Sequence, residues 1–275
     1  MSKDNFPDKM ALFGCGNMAG AMLRGWLAAD IDPARFSVVK PTPANLPSGV
    51  SHYTNAQDAG GPFKMLMLGV KPQILPDVAD DVRGLLAPDA TMISILAGPE
   101  LEYLQSLFPE THIIRVMPNL AVEIGQSPLG IWAGDISAAD RQNIDAMLKP
   151  LGTPEWLESE DQMDALTALA GSGPAFVYRF IDALAAGGTA TGLPEGQAQR
   201  LAVQMVVGAA QLASMSDDFP AELARRVAAK GGMTAEGLDV LDENGALGSL
   251  VKNTLRATRD RGAELARLAK GETTS

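Results

Sequence analysis

A short apolar run, Met10–Phe13, leads directly into Gly14-Cys15-Gly16-Asn17-Met18-Ala19 and on into a helical pattern reaching about Ala29. This is Gly-x-Gly-x-x-Ala at a strand-to-helix turn, the context in which the motif holds a dinucleotide. The glycines permit a tight turn and let a pyrophosphate reach the backbone, and the helix N-terminus offers unpaired N–H groups with positive potential. The choice of nucleotide is read at the end of the second strand, where an NAD site usually places Asp or Glu on the ribose hydroxyls. Here the chain reads Val38-Val39-Lys40-Pro41-Thr42-Pro43. A cation and a hydroxyl in place of a carboxylate suit the 2′-phosphate of NADP. The alternative is an ordinary solvated lysine, and NAD stays open as the second cofactor.

The commoner catalytic groups are scarce. One cysteine and two histidines exclude a disulfide framework and a Cys/His zinc cluster, so no metal site is expected. Cys15 lies within the glycine loop, where a small side chain in a tight turn is sufficient reason for it. His52 falls in a loop and His112 beside a strand end, and both read as structural or exposed rather than catalytic. The formal charge of -11 disfavours nucleic acid and anionic membranes as partners. The N-terminal residues lack the apolar core of a signal peptide, and the uncharged, apolar-rich stretch Leu201–Ser216 falls short of the roughly 18 apolar residues that suggest a membrane span. A cytoplasmic protein is expected.

The elements that must position the loop follow from periodicity. Apolar runs at Met10–Phe13, Phe36–Val39, Met65–Val70, Thr91–Leu96 and Ile113–Met117 alternate with helical patterns at Met18–Ala29, Asp77–Leu86 and Glu100–Phe108. Such an order predicts a parallel sheet covered on both faces. After about residue 160 only helical segments follow: Gln162–Thr191, Pro194–Met215, Pro220–Ala229, Thr234–Glu243 and Ala246–Leu268. The expected architecture is α/β: a Rossmann-type dinucleotide-binding domain over residues 1–160, then an all-helical dimerisation and substrate domain over residues 161–275. Pro194 and Pro220 suit first helical turns. Gly271–Ser275 should fray. Within the first helical segment, Gly171-Ser172-Gly173-Pro174 should break the helix, either as a simple kink or to bring backbone and Ser172 to the nicotinamide.

Five segments taken together resemble pyrroline-5-carboxylate reductase: the glycine loop, Val70-Lys71-Pro72, Ser94-Ile95-Leu96-Ala97-Gly98, Arg115-Val116-Met117-Pro118-Asn119 and Ala170-Gly171-Ser172-Gly173-Pro174-Ala175-Phe176. The likeness runs from about Lys9 to Arg261. It implies NADPH-dependent reduction of 1-pyrroline-5-carboxylate to L-proline, the last step of proline biosynthesis. It also implies a helical domain that dimerises by intertwining, in some members within a larger ring of dimers. Carried over by position, the cofactor phosphates would meet Gly14, Gly16, Asn17 and Met18. The adenosine ribose and its phosphate would lie near Lys40, Thr42 and Asn55, and Val70, Lys71, Pro72 and Ala97 would line the path to the nicotinamide. Ser172, Gly231, Gly232, Met233 and Thr234 would hold the substrate, with Thr234 bonding its ring nitrogen as the catalytic residue. The family's Ser-Pro-Gly-Gly-Thr-Thr stands here as Ala229-Lys230-Gly231-Gly232-Met233-Thr234, and Leu120-Ala121 replaces the usual Thr-Pro. These departures bear on substrate range rather than on fold.

The implied chemistry needs no histidine. A protonated cyclic imine is already a good electrophile, so positioning supplies most of the catalysis. A Gly-Gly turn leading into a helix makes a backbone nest for a carboxylate, and the Thr234 hydroxyl is placed either to bond the imine nitrogen or to cap the helix. Two rivals stand beside this reading. A β-hydroxyacid dehydrogenase would use a helix lysine such as Lys252. A non-catalytic NADP-binding protein would keep the fold without the reaction.

Overall fold

The computed structural model describes residues 6–42 and 45–269. Pro43 of the nucleotide-selecting segment and the Gly271–Ser275 tail lie outside them. One eight-stranded sheet has the order β3-β2-β1-β4-β5-β6-β7-β8. Its strands are β1 (Met10–Phe13), β2 (Phe36–Val39), β3 (Ser51–Tyr53), β4 (Phe63–Leu68), β5 (Leu86–Ser94), β6 (His112–Met117), β7 (Ser127–Ala133) and β8 (Gly152–Trp156). Chain order runs outward from β1 in both directions, which creates the crevice between strand ends where dinucleotides bind in such sheets.

Three of these strands are absent from the periodicity reading, and the sheet is not wholly parallel. β3 has three residues, β7 opens Ser-Pro and contains Gly130, and β8 is an edge strand carrying Pro154 and Glu155. None of them has the β-branched, unbroken composition that marks a strand. β7 runs antiparallel to β6. Residues 118–126 leave room only for the 3-10 turn Leu120–Ile124, too short for the crossover of a dozen or more residues that a parallel pair needs. The expected strand Met65–Val70 instead ends at Leu68, which leaves Gly69 and Val70 in the loop.

Alternation along the strands builds two cores. One face, with Leu12, Val38, Met67, Ile93, Val116 and Ile131, packs under α1 (Asn17–Ala28) and an unforeseen α4 (Ala138–Leu148). The opposite face, with Ala11, Phe13, Leu68, Met92 and Ile113, packs under α2 (Leu75–Leu85) and α3 (Leu101–Leu107). Trp26 of α1 is fully buried, stacks on Phe36 and donates its indole N–H to the Met147 carbonyl at 2.9 Å.

The remaining helices are α5 (Gln162–Leu166), a π turn (Thr167–Gly171), α6 (Gly173–Ala190), α7 (Glu195–Ser214), α8 (Pro220–Val227), α9 (Met233–Asp242) and α10 (Ala246–Ala269). Pro220 opens α8 as expected, whereas Pro194 is the N-cap preceding α7. By contacts the chain forms two compact units, Met1–Ser172 with Thr258–Ser275, and Gly173–Ala257. In the second, α6 packs on α7 through small residues, with Ala185, Ala198 and Ala202 buried. Among the described residues no helix is long and apolar enough to cross a membrane.

Candidate active site

Hydrogen bonds between loops extend the sheet just past its carboxyl edge. Lys40 N–H donates to the Tyr53 carbonyl at 2.9 Å, Gly14 N–H to Val39 at 2.9 Å, Gly69 N–H to Phe13 at 2.9 Å and Ile95 N–H to Leu68 at 3.2 Å. The ladder therefore brings Lys40, the Gly14–Met18 loop, Val70-Lys71-Pro72 and Ala97 to one edge of the sheet, in the order the crevice requires.

The loop itself is built for close approach. Gly14 has φ +85°, and a Cβ there would lie 2.7 Å from the Gly69 carbonyl oxygen, so only glycine fits. Gly16 caps α1 without any side-chain bond, no acidic residue stands in the first turn, and the space where its Cβ would point is open. The first N–H groups of α1 thus meet an uncrowded opening with no acidic residue in the helix's own first turn, which fits a dinucleotide pyrophosphate.

Lys40 is held from both sides, because His52 Nε2 lies 3.0 Å from its carbonyl oxygen while its N–H is bonded to Tyr53. This gives His52 its structural role. Lys40, Cys15, Gly16, Asn17, Arg24 and Glu123 are among the residues lining a hollow of about 470 Å³. Burial pushes the Cys15 thiol above its ordinary pKa, opposed by the positive charges of Lys40 and Arg24, and it stays protonated near neutral pH. Arg24 escaped the sequence reading. Its signal is helical spacing: it sits one turn after Gly20, whose added Cβ would lie 3.3 Å from its guanidinium, and it pairs with Glu123. Thr42 is exposed nearby. Asn55 is engaged in its own turn, its Oδ1 accepting from Asp58 N–H at 2.9 Å and its Nδ2 donating to Asp58 Oδ2 at 2.7 Å. A larger hollow of about 980 Å³, lined by Asp89, Glu110 and His112 among others, lies at the opposite ends of the strands, away from the loop.

The Arg115–Asn119 segment meets residues 160–171. Arg115 is buried and pairs with Glu160, whose carboxylate also accepts from Leu101 N–H at 2.7 Å. Burial raises the pKa of Asp164, and the Glu100 charge adds to the rise, while Arg115 and Arg259 oppose it. Asn119 donates from Nδ2 to the Ala170 carbonyl at 2.9 Å. The expected break at Gly171–Pro174 falls at Ser172, which lies outside the helices between the end of the π turn at Gly171 and the start of α6 at Gly173. Pro174 is the second residue of α6, Ser172 N–H is bonded to the Thr167 carbonyl at 2.9 Å, and the half-buried Ser172 ends the first unit.

In the second unit, Gly231 has φ +73° and Gly232 is the N-cap of α9, with its N–H bonded to the Ala229 carbonyl at 2.8 Å. Thr234 is therefore the second helical residue and not the cap. No side-chain capping bond exists at this N-terminus, Met233 and Thr234 are exposed, and Glu236 completes the first turn. Lys252 lies exposed on α10.

Residues 160–265 match the family model of pyrroline-5-carboxylate reductase dimerisation, and residues 9–98 match that of NADP oxidoreductase, coenzyme F420-dependent. Pyrroline-5-carboxylate reductase 3 of Danio rerio is 32% identical over 271 residues, covering 96% of this chain and 93% of the relative. The pyrroline-5-carboxylate reductase of Pseudomonas aeruginosa is 32% identical over 266 residues, covering 94% and 97%. Among solved structures, the Coxiella burnetii pyrroline-5-carboxylate reductase superposes with TM-score 0.86 at 26% identity, covering 94% of this chain and 98% of that one. The Plasmodium falciparum pyrroline carboxylate reductase, solved with NADP bound, shares the fold at TM-score 0.83 and 24% identity, covering 94% and 98%. Identity above 30% over nearly the whole length, with a dimerisation region matched in the helical half, places the chain in the pyrroline-5-carboxylate reductase family.

Proposed function

We propose that the protein reduces 1-pyrroline-5-carboxylate to L-proline with NADPH, completing proline biosynthesis, and that it works as a homodimer. The observation that carries this reading is the glycine cradle at Gly14–Met18, opening onto a first helical turn without acidic residues and with Lys40 pinned beside it, in a chain whose helical half matches the dimerisation region of this family. Gly14, Gly16, Asn17 and Met18 hold the pyrophosphate. Lys40 and Thr42 face the 2′-phosphate, supported by the nearby Arg24 charge, and Asn55 shapes the loop beside the ribose. Val70, Lys71, Pro72 and Ala97 border the nicotinamide. When bound, NADPH supplies the hydride to the imine carbon while the ring nitrogen retains its proton, giving a secondary amine.

The chain's own residues bind and orient the imino acid. Backbone N–H groups after Gly231 and Gly232, at Met233 and Thr234, hold the carboxylate at the α9 N-terminus. The Thr234 hydroxyl, not used as a cap, bonds the imine nitrogen, and Ser172 is a further substrate-binding residue. NADP is preferred over NAD because a cation stands where an NAD site carries a carboxylate.

Steady-state reduction of five- and six-membered cyclic imino acids, each with NADPH and NADH, tests the reading. The expected result is turnover of the five-membered substrate with NADPH preferred, and a Thr234→Ala variant that loses turnover while keeping its NADPH affinity. Oxidation of a 3-hydroxy acid that Lys252→Ala abolishes, or tight NADPH binding without any turnover, would overturn it.

A further inference from the structure

The π turn between α5 and α6 poses a hydrogen-bonding problem that one distant side chain answers. In an α-helix the carbonyl of Ala170 accepts from the N–H of the residue four positions on. That residue is Pro174, which has no N–H, and its ring crowds this same carbonyl. Asn119 Nδ2 donates to the Ala170 oxygen at 2.9 Å in its place.

Asn119 is itself over-determined. It is 5% exposed, its Oδ1 accepts from Ala121 N–H at 2.9 Å, and its own N–H donates to Ser127 Oγ at 3.0 Å. The carboxamide therefore cannot rotate without stranding a buried polar group. Residues two apart along a strand share a face, and the neighbours of Asn119 on that face reach the same segment: Arg115 pairs with Glu160, and Met117 lies against Gly171, whose added Cβ would meet Met117 Cγ at 3.8 Å. Three successive positions on one side of β6 and its extension thus grip residues 160–171.

We infer that Asn119 is a positioning residue for the reaction: its carboxamide replaces the donor that Pro174 lacks and so fixes the Gly171–Ser172 backbone, which presents Ser172 to the reacting groups. The inference rests on the proposed imine reduction for the role of Ser172, but the clamp itself does not. π turns recur at functional sites because they re-aim the helix backbone, and this one is held from outside the helix.

The experiment compares the wild-type enzyme with Asn119→Ala, Asn119→Asp, Pro174→Ala and the Asn119→Ala/Pro174→Ala double variant. Asp keeps the acceptor for Ala121 N–H but cannot, when ionised, donate to Ala170. Both Asn119 single variants are expected to lose about tenfold to a hundredfold in kcat/KM for the imino acid, with the Kd for NADPH changing much less. Amide exchange at Ser172 should speed up in parallel. Pro174→Ala restores a backbone donor to Ala170, so the double variant should recover both kcat/KM and slow exchange relative to Asn119→Ala. A merely structural asparagine predicts a lowered Tm with no such rescue. The inference is overturned if the double variant is no better than Asn119→Ala, or if Asn119→Asp matches wild type in kinetics and exchange. Wild-type enzyme inactive on every imino acid would instead overturn the proposed function, and exchange at Ser172 would still decide whether the clamp exists.

Discussion

In the first unit the largest apolar side chains, Trp26, Phe36, Phe108 and Leu66 among them, are essentially inaccessible, sealed between a sheet and helices on both of its faces. In the second unit, among the described residues, the buried hydrophobics are three alanines, while Leu212 is 71% exposed, Met215 85% and Leu250 66%. A unit that buries its small residues and displays its large ones is what a self-associating domain presents as a single chain, in keeping with the dimerisation region it matches. The same contrast divides the chemistry. The cofactor cradle is made of backbone fixed by sheet hydrogen bonds, whereas Thr234 sits exposed on the short helix α9, in the unit that matches the dimerisation region.

The contrast is open to direct attack. Trp26→Ala removes a stacked, hydrogen-bonded side chain from a closed core and should cost about 3–5 kcal/mol in urea unfolding, equally at low and high protein concentration; a concentration-dependent loss would mean that the first unit also leans on a partner. Leu250→Asp places a charge on the displayed surface of α10 and should weaken self-association by about 2 kcal/mol or more, read by light scattering as a shift toward monomer. Unchanged mass would show that this surface is not the interface. Lys40→Ala leaves both cores intact and should weaken NADPH binding by about 1.5–3 kcal/mol while barely touching NADH, measured as a ratio of dissociation constants. An equal loss for both would move the 2′-phosphate site elsewhere.

The smallest effect concerns Asp164. Burial raises its pKa in the folded state, so its contribution to stability is present below the unfolded-state pKa and fades as pH rises through the higher folded value. Asp164→Asn should therefore gain on the wild type in Tm between acid and neutral pH. A gap that narrows over that range would show that the pairing with Arg115 and Arg259 outweighs desolvation.

Much of the first unit is legible in the sequence because its signals are local. An apolar run followed by Gly-x-Gly-x-x-Ala announces β1, the turn and α1, and Val39-Lys40 reads as the end of β2 from composition alone. β3, β7, β8 and α4 were not legible, since their short, proline-bearing or polar stretches are held by neighbours in the sheet rather than by their own propensity. Arg24 is hidden because its place beside Lys40 depends on how α1 lies against the loop after β2. Gly171-Ser172-Gly173-Pro174 reads correctly as a break, because proline acts locally, but Asn119, 51 residues from Ala170 in sequence, is hidden as the donor that holds the backbone there.

The sequence by itself determined the fold class and the dinucleotide loop, because each depends on residue types or on spacing within a few turns of chain. Only the tertiary structure decided which groups hold others in place. His52 on the Lys40 carbonyl, Glu160 on Arg115 and Asn119 on Ala170 join residues far apart in the chain, and Thr234 is free of capping duty because Gly232 took it. A hydrogen bond depends on positions within a fraction of an ångström, and for residues distant in sequence those positions exist only once the sheet has formed.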